Sequence, residues 1–94
     1  MKSKLNILVV DDEARVIDEI KEFLESKKYQ VFSASKPSEA FTLLEKNTID
    51  IMILDIRLPE MSGLEVLEKI KAQNQYIEVI MISGHGDMNT VIEA

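Results

Sequence analysis

Short apolar runs alternate with stretches of helical periodicity along most of this 94-residue chain. The apolar runs predict four strands, at about residues 5–10, 29–33, 51–54 and 79–82. The segments between them predict helices, because their apolar residues recur at helical spacing. Strands that alternate with helices pair in parallel through right-handed crossovers. The sequence therefore predicts an α/β fold with an open, doubly wound parallel sheet.

Three of the predicted helices have recognisable starts. Pro37 suits the first turn of a helix, where its missing N–H would have had no partner. Ser62 and Glu65 have the spacing of a capping box. Asp87 is a candidate N-cap for a fourth helix that has made barely two turns when the chain stops. The third helix is predicted to bury three aliphatic residues, flanked by a fourth: Leu64, Leu67 and Ile70, with Val66 beside them.

The composition describes one small domain, residues 1–94, with 46% hydrophobic and 30% charged residues. The net charge of −6 argues against nucleic-acid binding by this segment, since phosphate contacts need clustered Lys and Arg. The absence of cysteine excludes disulfides, thiolate zinc sites and cysteine nucleophiles. The amino-terminal apolar run is too short for a signal peptide or a membrane span, so we expect a cytoplasmic protein without membrane contact.

Three aspartates lie where two of the apolar runs end. Asp11 and Asp12 close the first run, and Asp55 closes the third. If these strands are neighbours and the second strand lies outside the first, the strand order reverses between them, and ligands bind at such points. Three carboxylates in a small space raise one another's pKa unless a cation or hydrogen bonds compensate. A hard divalent cation such as Mg²⁺ fits, with Asp12 and Asp55 binding directly and Asp11 through water.

Asp55 is the better candidate for a nucleophile that forms an aspartyl phosphate. Pro59 and Gly63 follow it at positions that can hold the backbone open before the next helix. Ser83 ends the fourth apolar run and would place a hydroxyl beside the same crevice. Gly84 comes next and lets a backbone amide face an anion. These residues together indicate phosphate chemistry.

Three segments carry a resemblance to a known family: Val10-Asp11-Asp12-Glu13, Asp55-Ile56-Arg57-Leu58-Pro59-Glu60-Met61-Ser62-Gly63 and Ile82-Ser83-Gly84. In these the chain resembles the receiver domain of two-component response regulators, over its whole length. The resemblance implies a flavodoxin-like fold with strand order 2-1-3-4-5. It also implies a signalling protein that catalyses only its own phosphorylation and dephosphorylation. The stretch from Ser83 to Asp87 looks most like receivers of the nitrogen-regulation class of transcriptional activators.

The resemblance also implies roles for single residues. Asp55 would accept phosphate from the phosphohistidine of a sensor histidine kinase. Asp12, Asp55 and the backbone carbonyl of Arg57 would bind Mg²⁺, with Asp11 in support. The phosphorylated state would act on an output domain or downstream protein outside this chain.

Four further positions match family positions near the phosphoryl group. Ser83 occupies the usual Ser/Thr switch position, followed by Gly84. Arg57 and His85 match positions that tune the lifetime of the phosphate. The resemblance therefore implies a switch whose state depends on contacts at the end of the fourth strand.

The chain departs from the family at its carboxyl end. A full receiver has a fifth strand, which ends in a lysine that contacts the phosphoryl group, and a fifth helix. We expect a receiver truncated in the fourth helix, with sheet order 2-1-3-4, a bare apolar edge on the fourth strand and part of one sheet face uncovered. Such an edge invites pairing with another chain. The chain is either a fragment of a longer protein or a complete product, and we favour the fragment because a sheet uncovered on one face is hard to stabilise at this size. We expect the isolated chain to be marginally stable or to form a homodimer, with elements exchanged or shared between copies.

Simpler structural roles exist for the same residues. Asp11 and Asp12 could be a helix N-cap and its neighbour. Ser83 could be a turn residue, and His85 could be a solvent-exposed side chain in a glycine-flanked loop. The joint occurrence of three aspartates at strand ends, with Pro and Gly at matching offsets, disfavours these alternatives as an explanation of the whole pattern.

Two other functions compete with the signalling switch. One is a receiver-like interaction module that works without phosphorylation, and the three retained aspartates speak against it. The other is a phosphatase of the haloacid-dehalogenase type, which needs a second aspartate two residues after the nucleophile. Position 57 holds arginine instead, so we expect no turnover of external substrates.

Overall fold

The computed structural model describes residues 4–73, 76–83 and 90–93. In chain order the elements are β1 (Asn6–Val10), α1 (Ala14–Ser26), β2 (Gln30–Ala34), α2 (Pro37–Lys46), β3 (Ile51–Asp55), α3 (Gly63–Gln73), β4 (Glu78–Ser83) and β5 (Thr90–Glu93). The sheet order is β2-β1-β3-β4-β5, and the first four of these strands are parallel. The predicted doubly wound sheet with order 2-1-3-4 is therefore confirmed.

The central strand β1 is buried on both faces because helices cover the sheet from both sides. On one face, Ile7 and Val9 form a cluster with Val31, and α1 packs against it through Ile17 and Ile20. On the other face, a larger cluster joins the sheet to α2 and α3: Leu8, Val10, Met52, Leu54, Ala40, Val66 and Ile70. This continuous burial explains why the strands read as unbroken apolar runs rather than as alternating patterns.

The start of α3 follows the predicted capping box, but its buried face differs from the prediction. The Glu65 N–H donates to Ser62 Oγ at 3.2 Å, as an N-cap requires. Leu64 is 57% exposed, whereas Val66 is fully buried and Ile70 is 2% exposed. The prediction for Leu64 is wrong because α3 begins with a buried glycine, so that residues three and seven positions further on face the sheet.

The prediction of a fourth helix is wrong for residues 90–93, the part of that segment that the structure describes. Asp87 lies outside the described residues, and Thr90–Glu93 form β5, which pairs antiparallel to β4. Without β5, the edge of β4 would carry backbone groups in need of partners, and Thr90, Val91 and Ile92 are β-branched residues that favour a strand. The edge of β4 is therefore paired within the chain and is not bare, contrary to the prediction.

Among the residues that the structure describes, part of the sheet face beside α1 is uncovered, as the sequence predicts. A groove of about 410 Å³ runs between α1 and the strands β3 and β4. Its lining is almost entirely apolar: Ile20, Phe23 and Leu24 from α1, and Ile53, Ile80 and Ile82 from the sheet. Phe23 is 60% exposed at its rim. Among the described residues, no helix has the length and apolar character needed to cross a membrane.

Candidate metal centre

Three carboxylates meet at the carboxyl ends of β1 and β3. Asp11, Asp12 and Asp55 each offer an oxygen, and these oxygens lie within 4.8 Å of one another. The strand register explains the meeting, because Val10 pairs with Leu54 and the next residue of each strand extends to the same edge. Asp11 is 1% exposed and Asp55 is fully buried, whereas Asp12 faces solvent. The site is an acidic crevice in which two carboxylates are buried and the third faces solvent.

The two buried carboxylates are held by the same local geometry. Oδ1 of Asp11 accepts a hydrogen bond from the Glu13 N–H at 2.8 Å. Oδ1 of Asp55 accepts one from the Arg57 N–H at 3.1 Å. In each case the donor is the backbone two residues further on, an arrangement that short Asp side chains favour in turns. The backbone after each strand therefore orients the carboxylate at its end.

Burial raises the pKa of the Asp11 carboxyl above its usual value. The hydrogen bond from Glu13 acts in the opposite direction, and the nearby charges of Asp55 and Asp12 raise the pKa further. A bound cation would relieve this repulsion. The donor set consists of hard carboxylate oxygens, which suits Mg²⁺ or a similar divalent cation better than a soft transition metal.

The loop after β3 turns back over Asp55, and Gly63 makes this possible. The Gly63 N–H donates to the Ile56 carbonyl at 2.7 Å. A Cβ at position 63 would overlap the carbonyl oxygen of Asp55 and would lie 2.8 Å from the Cα of Ile56. Such a distance is far inside van der Waals contact, so any other residue would displace the backbone beside the acidic crevice. The predicted close approach at Gly63 is present.

The loop makes one further contact that the sequence does not predict. Glu60 has a φ of 69°, in the left-handed region that residues with a Cβ rarely adopt. Its carboxylate accepts two hydrogen bonds from Ser38 in the first turn of α2, from the N–H at 3.0 Å and from the hydroxyl at 3.2 Å. The two residues are 22 positions apart, so no local pattern signals the contact.

The other predicted site residues lie at the same edge of the sheet or outside the described residues. Ser83 is the last residue of β4, one position beyond Ile82, which pairs with Asp55. Its backbone is therefore at the carboxyl edge, next to the crevice. Arg57 is exposed and contributes its N–H to Asp55. Gly84 and His85 lie outside the described residues.

Comparison with known proteins gives one consistent family. A family profile described as the response regulator receiver domain matches residues 7–94. The chain is 34% identical over 88 residues to the alginate biosynthesis transcriptional regulatory protein AlgB of Pseudomonas putida. That alignment covers 94% of this chain and 20% of AlgB, so the chain spans about one fifth of this relative's length.

Solved structures with the same fold include other response regulator proteins. A CheY-like response regulator receiver domain protein from Methanospirillum hungatei superposes with a TM-score of 0.84 at 32% identity, covering 92% of this chain and 69% of that one. Response regulator protein TrrA from Thermotoga maritima, in complex with Mg²⁺-BeF, has a TM-score of 0.81 at 33% identity and covers 87% and 71%. The structure of TrrA in complex with histidine kinase ThkA has a TM-score of 0.81 at 32% identity. The match covers 88% of this chain and 72% of that one.

Proposed function

This chain belongs to the response regulator receiver domain family, and on that premise we propose that it is a phosphorylation-dependent signalling switch that accepts a phosphoryl group on Asp55. The observation that carries the proposal is the convergence of Asp11, Asp12 and Asp55 at one edge of the sheet. Asp55 is fully buried among these groups at the end of a central strand, so its carboxylate is held in place before any phosphodonor arrives.

The proposed reaction is a transfer from phosphohistidine to carboxylate. An oxygen of Asp55 attacks the phosphorus, the phosphorus–nitrogen bond breaks, and its electron pair returns to the imidazole nitrogen. Later attack of water on phosphorus releases inorganic phosphate and restores the carboxylate. The Arg57 N–H holds Oδ1 of Asp55 and thereby sets the direction of the carboxylate for attack. The chain acts on its own side chain, and we expect no turnover of external substrates.

The carboxylates would hold the cofactor that this chemistry requires. We propose that Asp12, Asp55 and the Arg57 backbone carbonyl bind Mg²⁺, with Asp11 in support. When bound, Mg²⁺ offsets the negative charge of the carboxylates and of the incoming phosphoryl group. The Mg²⁺-BeF complex of TrrA supports this assignment by similarity.

We assign the remaining roles in the switch by similarity to the family. Ser83 and the amide of Gly84 would contact the phosphoryl oxygens, and this contact exists only in the phosphorylated state, as a switch requires. Arg57 and His85 would tune the lifetime of the phosphate. A phosphoryl group adds nearly two negative charges, enough to bias a two-state element at the end of β4.

The proposed partners follow from the relatives. The complex of ThkA with TrrA supports a sensor histidine kinase as phosphodonor. AlgB is a transcriptional regulatory protein, which supports a transcriptional output domain or downstream partner for a full-length protein that contains this segment. We propose that the protein works in the cytoplasm.

Phosphoramidate and Mg²⁺ test the proposal without knowledge of the kinase. Intact mass spectrometry should show one added phosphoryl group on the wild-type chain and none on Asp55→Asn. Asp18→Asn removes an exposed carboxylate of α1 and should behave as wild type. Uptake that is unchanged in Asp55→Asn would overturn the proposal. Absence of Mg²⁺ binding would favour the interaction module, and steady phosphate release from p-nitrophenyl phosphate would favour the phosphatase.

A further inference from the structure

The loop of residues 56–62 carries the Arg57 N–H, which donates to the Asp55 carboxylate. Its first residue is fixed to β4, because the Ile56 N–H donates to the Ile82 carbonyl at 2.9 Å. Its last part is fixed by the hydrogen bond from Gly63 to Ile56. Arg57, whose N–H orients Asp55, follows the anchored Ile56 and leads into the outer part of the loop, residues 58–61. The position of that outer part therefore matters for the site.

Glu60 connects the outer part of the loop to a separate and well-anchored element. Its carboxylate accepts hydrogen bonds from the N–H and the hydroxyl of Ser38. Ser38 follows Pro37, which is buried and has a fixed backbone angle, and Ala40, two residues further on, is fully buried. α2 also packs against β1 and β2. Glu60 is thus hydrogen-bonded to a helix that packs on the sheet.

The backbone of Glu60 has an unfavourable conformation at the same position as this contact. At a φ of 69°, glycine would be the relaxed residue, because it lacks the Cβ that disfavours this conformation. Glutamate adopts the same conformation here and gains two hydrogen bonds through its side chain. The strained backbone is therefore accompanied by a specific interaction, and both occur in the loop that directly follows Asp55.

We infer that Glu60 and Ser38 form a positioning pair that holds the β3–α3 loop over Asp55, so that loss of the pair slows phosphoryl acceptance and weakens Mg²⁺ binding. This inference rests on the proposed function. Neither residue contacts the reacting atoms; they act through the loop, whose Arg57 amide orients the acceptor and whose Arg57 carbonyl is a proposed metal ligand.

The chain contains a matched control at the same helix. Glu39 Oε1 accepts hydrogen bonds from the N–H and the hydroxyl of Ser35, both at 2.8 Å. The amide and then the hydroxyl of Ser35 lower the pKa of the Glu39 carboxyl. The chemistry matches that of the Glu60–Ser38 pair, but this contact stays within the start of α2 and does not reach the β3–α3 loop. Glu39→Ala therefore removes a similar contact and leaves the hydrogen bonds between Glu60 and Ser38 in place.

The experiment measures the rate of phosphorylation by phosphoramidate and the Kd for Mg²⁺, below the unfolding temperature of each variant. Glu60→Ala should lower the rate and raise the Kd by up to about tenfold, which corresponds to the net free energy that one or two hydrogen bonds typically contribute. Glu60→Gln keeps an acceptor oxygen and should recover part of the loss. The Glu60→Ala/Ser38→Ala double variant should be no slower than Glu60→Ala, because one interaction is lost in both. Glu39→Ala should match wild type.

A wild-type rate and Kd for Glu60→Ala would overturn the inference and leave the proposed function intact. Equal losses in Glu39→Ala and Glu60→Ala would also overturn it, because they would show a general effect of α2. A wild-type chain that takes up no phosphoryl group would instead overturn the proposed function. The two failures are therefore distinguishable.

Discussion

The backbone amide of Arg57 donates a hydrogen bond to Oδ1 of Asp55 at 3.1 Å, so the acceptor carboxylate is oriented by the loop that follows it. The same relationship at the end of β1 joins Glu13 to Asp11 at 2.8 Å. Two parallel strands thus end in the same turn geometry, and both turns direct carboxylates into one crevice. The acidic cluster is a product of strand register and of these two turns.

Replacement of Gly63 should disturb both stability and the site. The Cβ of Gly63→Ala would overlap the Asp55 carbonyl oxygen, so the backbone must shift. We expect a loss of about 1–3 kcal/mol in the free energy of unfolding, as is typical of overpacking. Leu64→Ala is a suitable control, because Leu64 is 57% exposed in the same helical turn and should change stability by less than about 1 kcal/mol. Urea unfolding measures both, and equal stability of Gly63→Ala and wild type would contradict the prediction.

Stability without a divalent cation should depend on the charge of Asp11. Its pKa is raised in the folded state, chiefly by burial, so the folded protein binds more protons than the unfolded chain between the unfolded pKa of 3.8 and the higher folded pKa. The free energy of unfolding should therefore fall as the pH rises from about 4 through the folded pKa of Asp11.

Asp11→Asn should remove this contribution while keeping an acceptor for the Glu13 N–H. In EDTA at neutral pH we expect the variant to be more stable than wild type by on the order of 1 kcal/mol. Mg²⁺ should stabilise wild type more than the variant, because a ligand that binds only the folded state adds more stability the more tightly it binds. Urea unfolding at several pH values checks this, and a variant less stable than wild type at neutral pH in EDTA would count against it.

The open groove beside α1 should promote self-association. Phe23 is 60% exposed next to an almost entirely apolar lining, and such patches mark interaction or aggregation sites. Because β5 pairs with β4, we expect association through this groove and not through the sheet edge. Sedimentation velocity over a range of concentrations should show dimers in wild type and fewer in Phe23→Ser. A wild-type chain that stays monomeric at high concentration would refute the prediction.

The sequence predicts those parts of the fold that depend on local pattern. The apolar runs locate β1 and β3, and the positions of Asp11, Asp12 and Asp55 at their ends lead directly to the observed cluster. The capping box at Ser62 is local as well and is present. Parallel pairing of neighbouring strands then follows from the alternation of strands and helices.

The features that the sequence does not predict depend on tertiary contacts. β5 forms because the edge of β4 offers backbone partners to residues 90–93, a long-range pairing that the local sequence pattern does not signal. The pair of Glu60 and Ser38 joins residues 22 positions apart, and only the folded chain brings them together. Leu64 faces outward because contact of Gly63 with the loop fixes the rotation of α3 about its axis.

The location of the phosphoryl group after reaction with phosphoramidate tests the central claim most directly. Tandem mass spectrometry of the reacted wild-type chain, after borohydride reduction of the acyl phosphate, identifies the modified residue. We predict a single modification at Asp55 that requires Mg²⁺ and is lost in EDTA. A modification at another residue, or equal modification of Asp55 with and without Mg²⁺, would contradict the account.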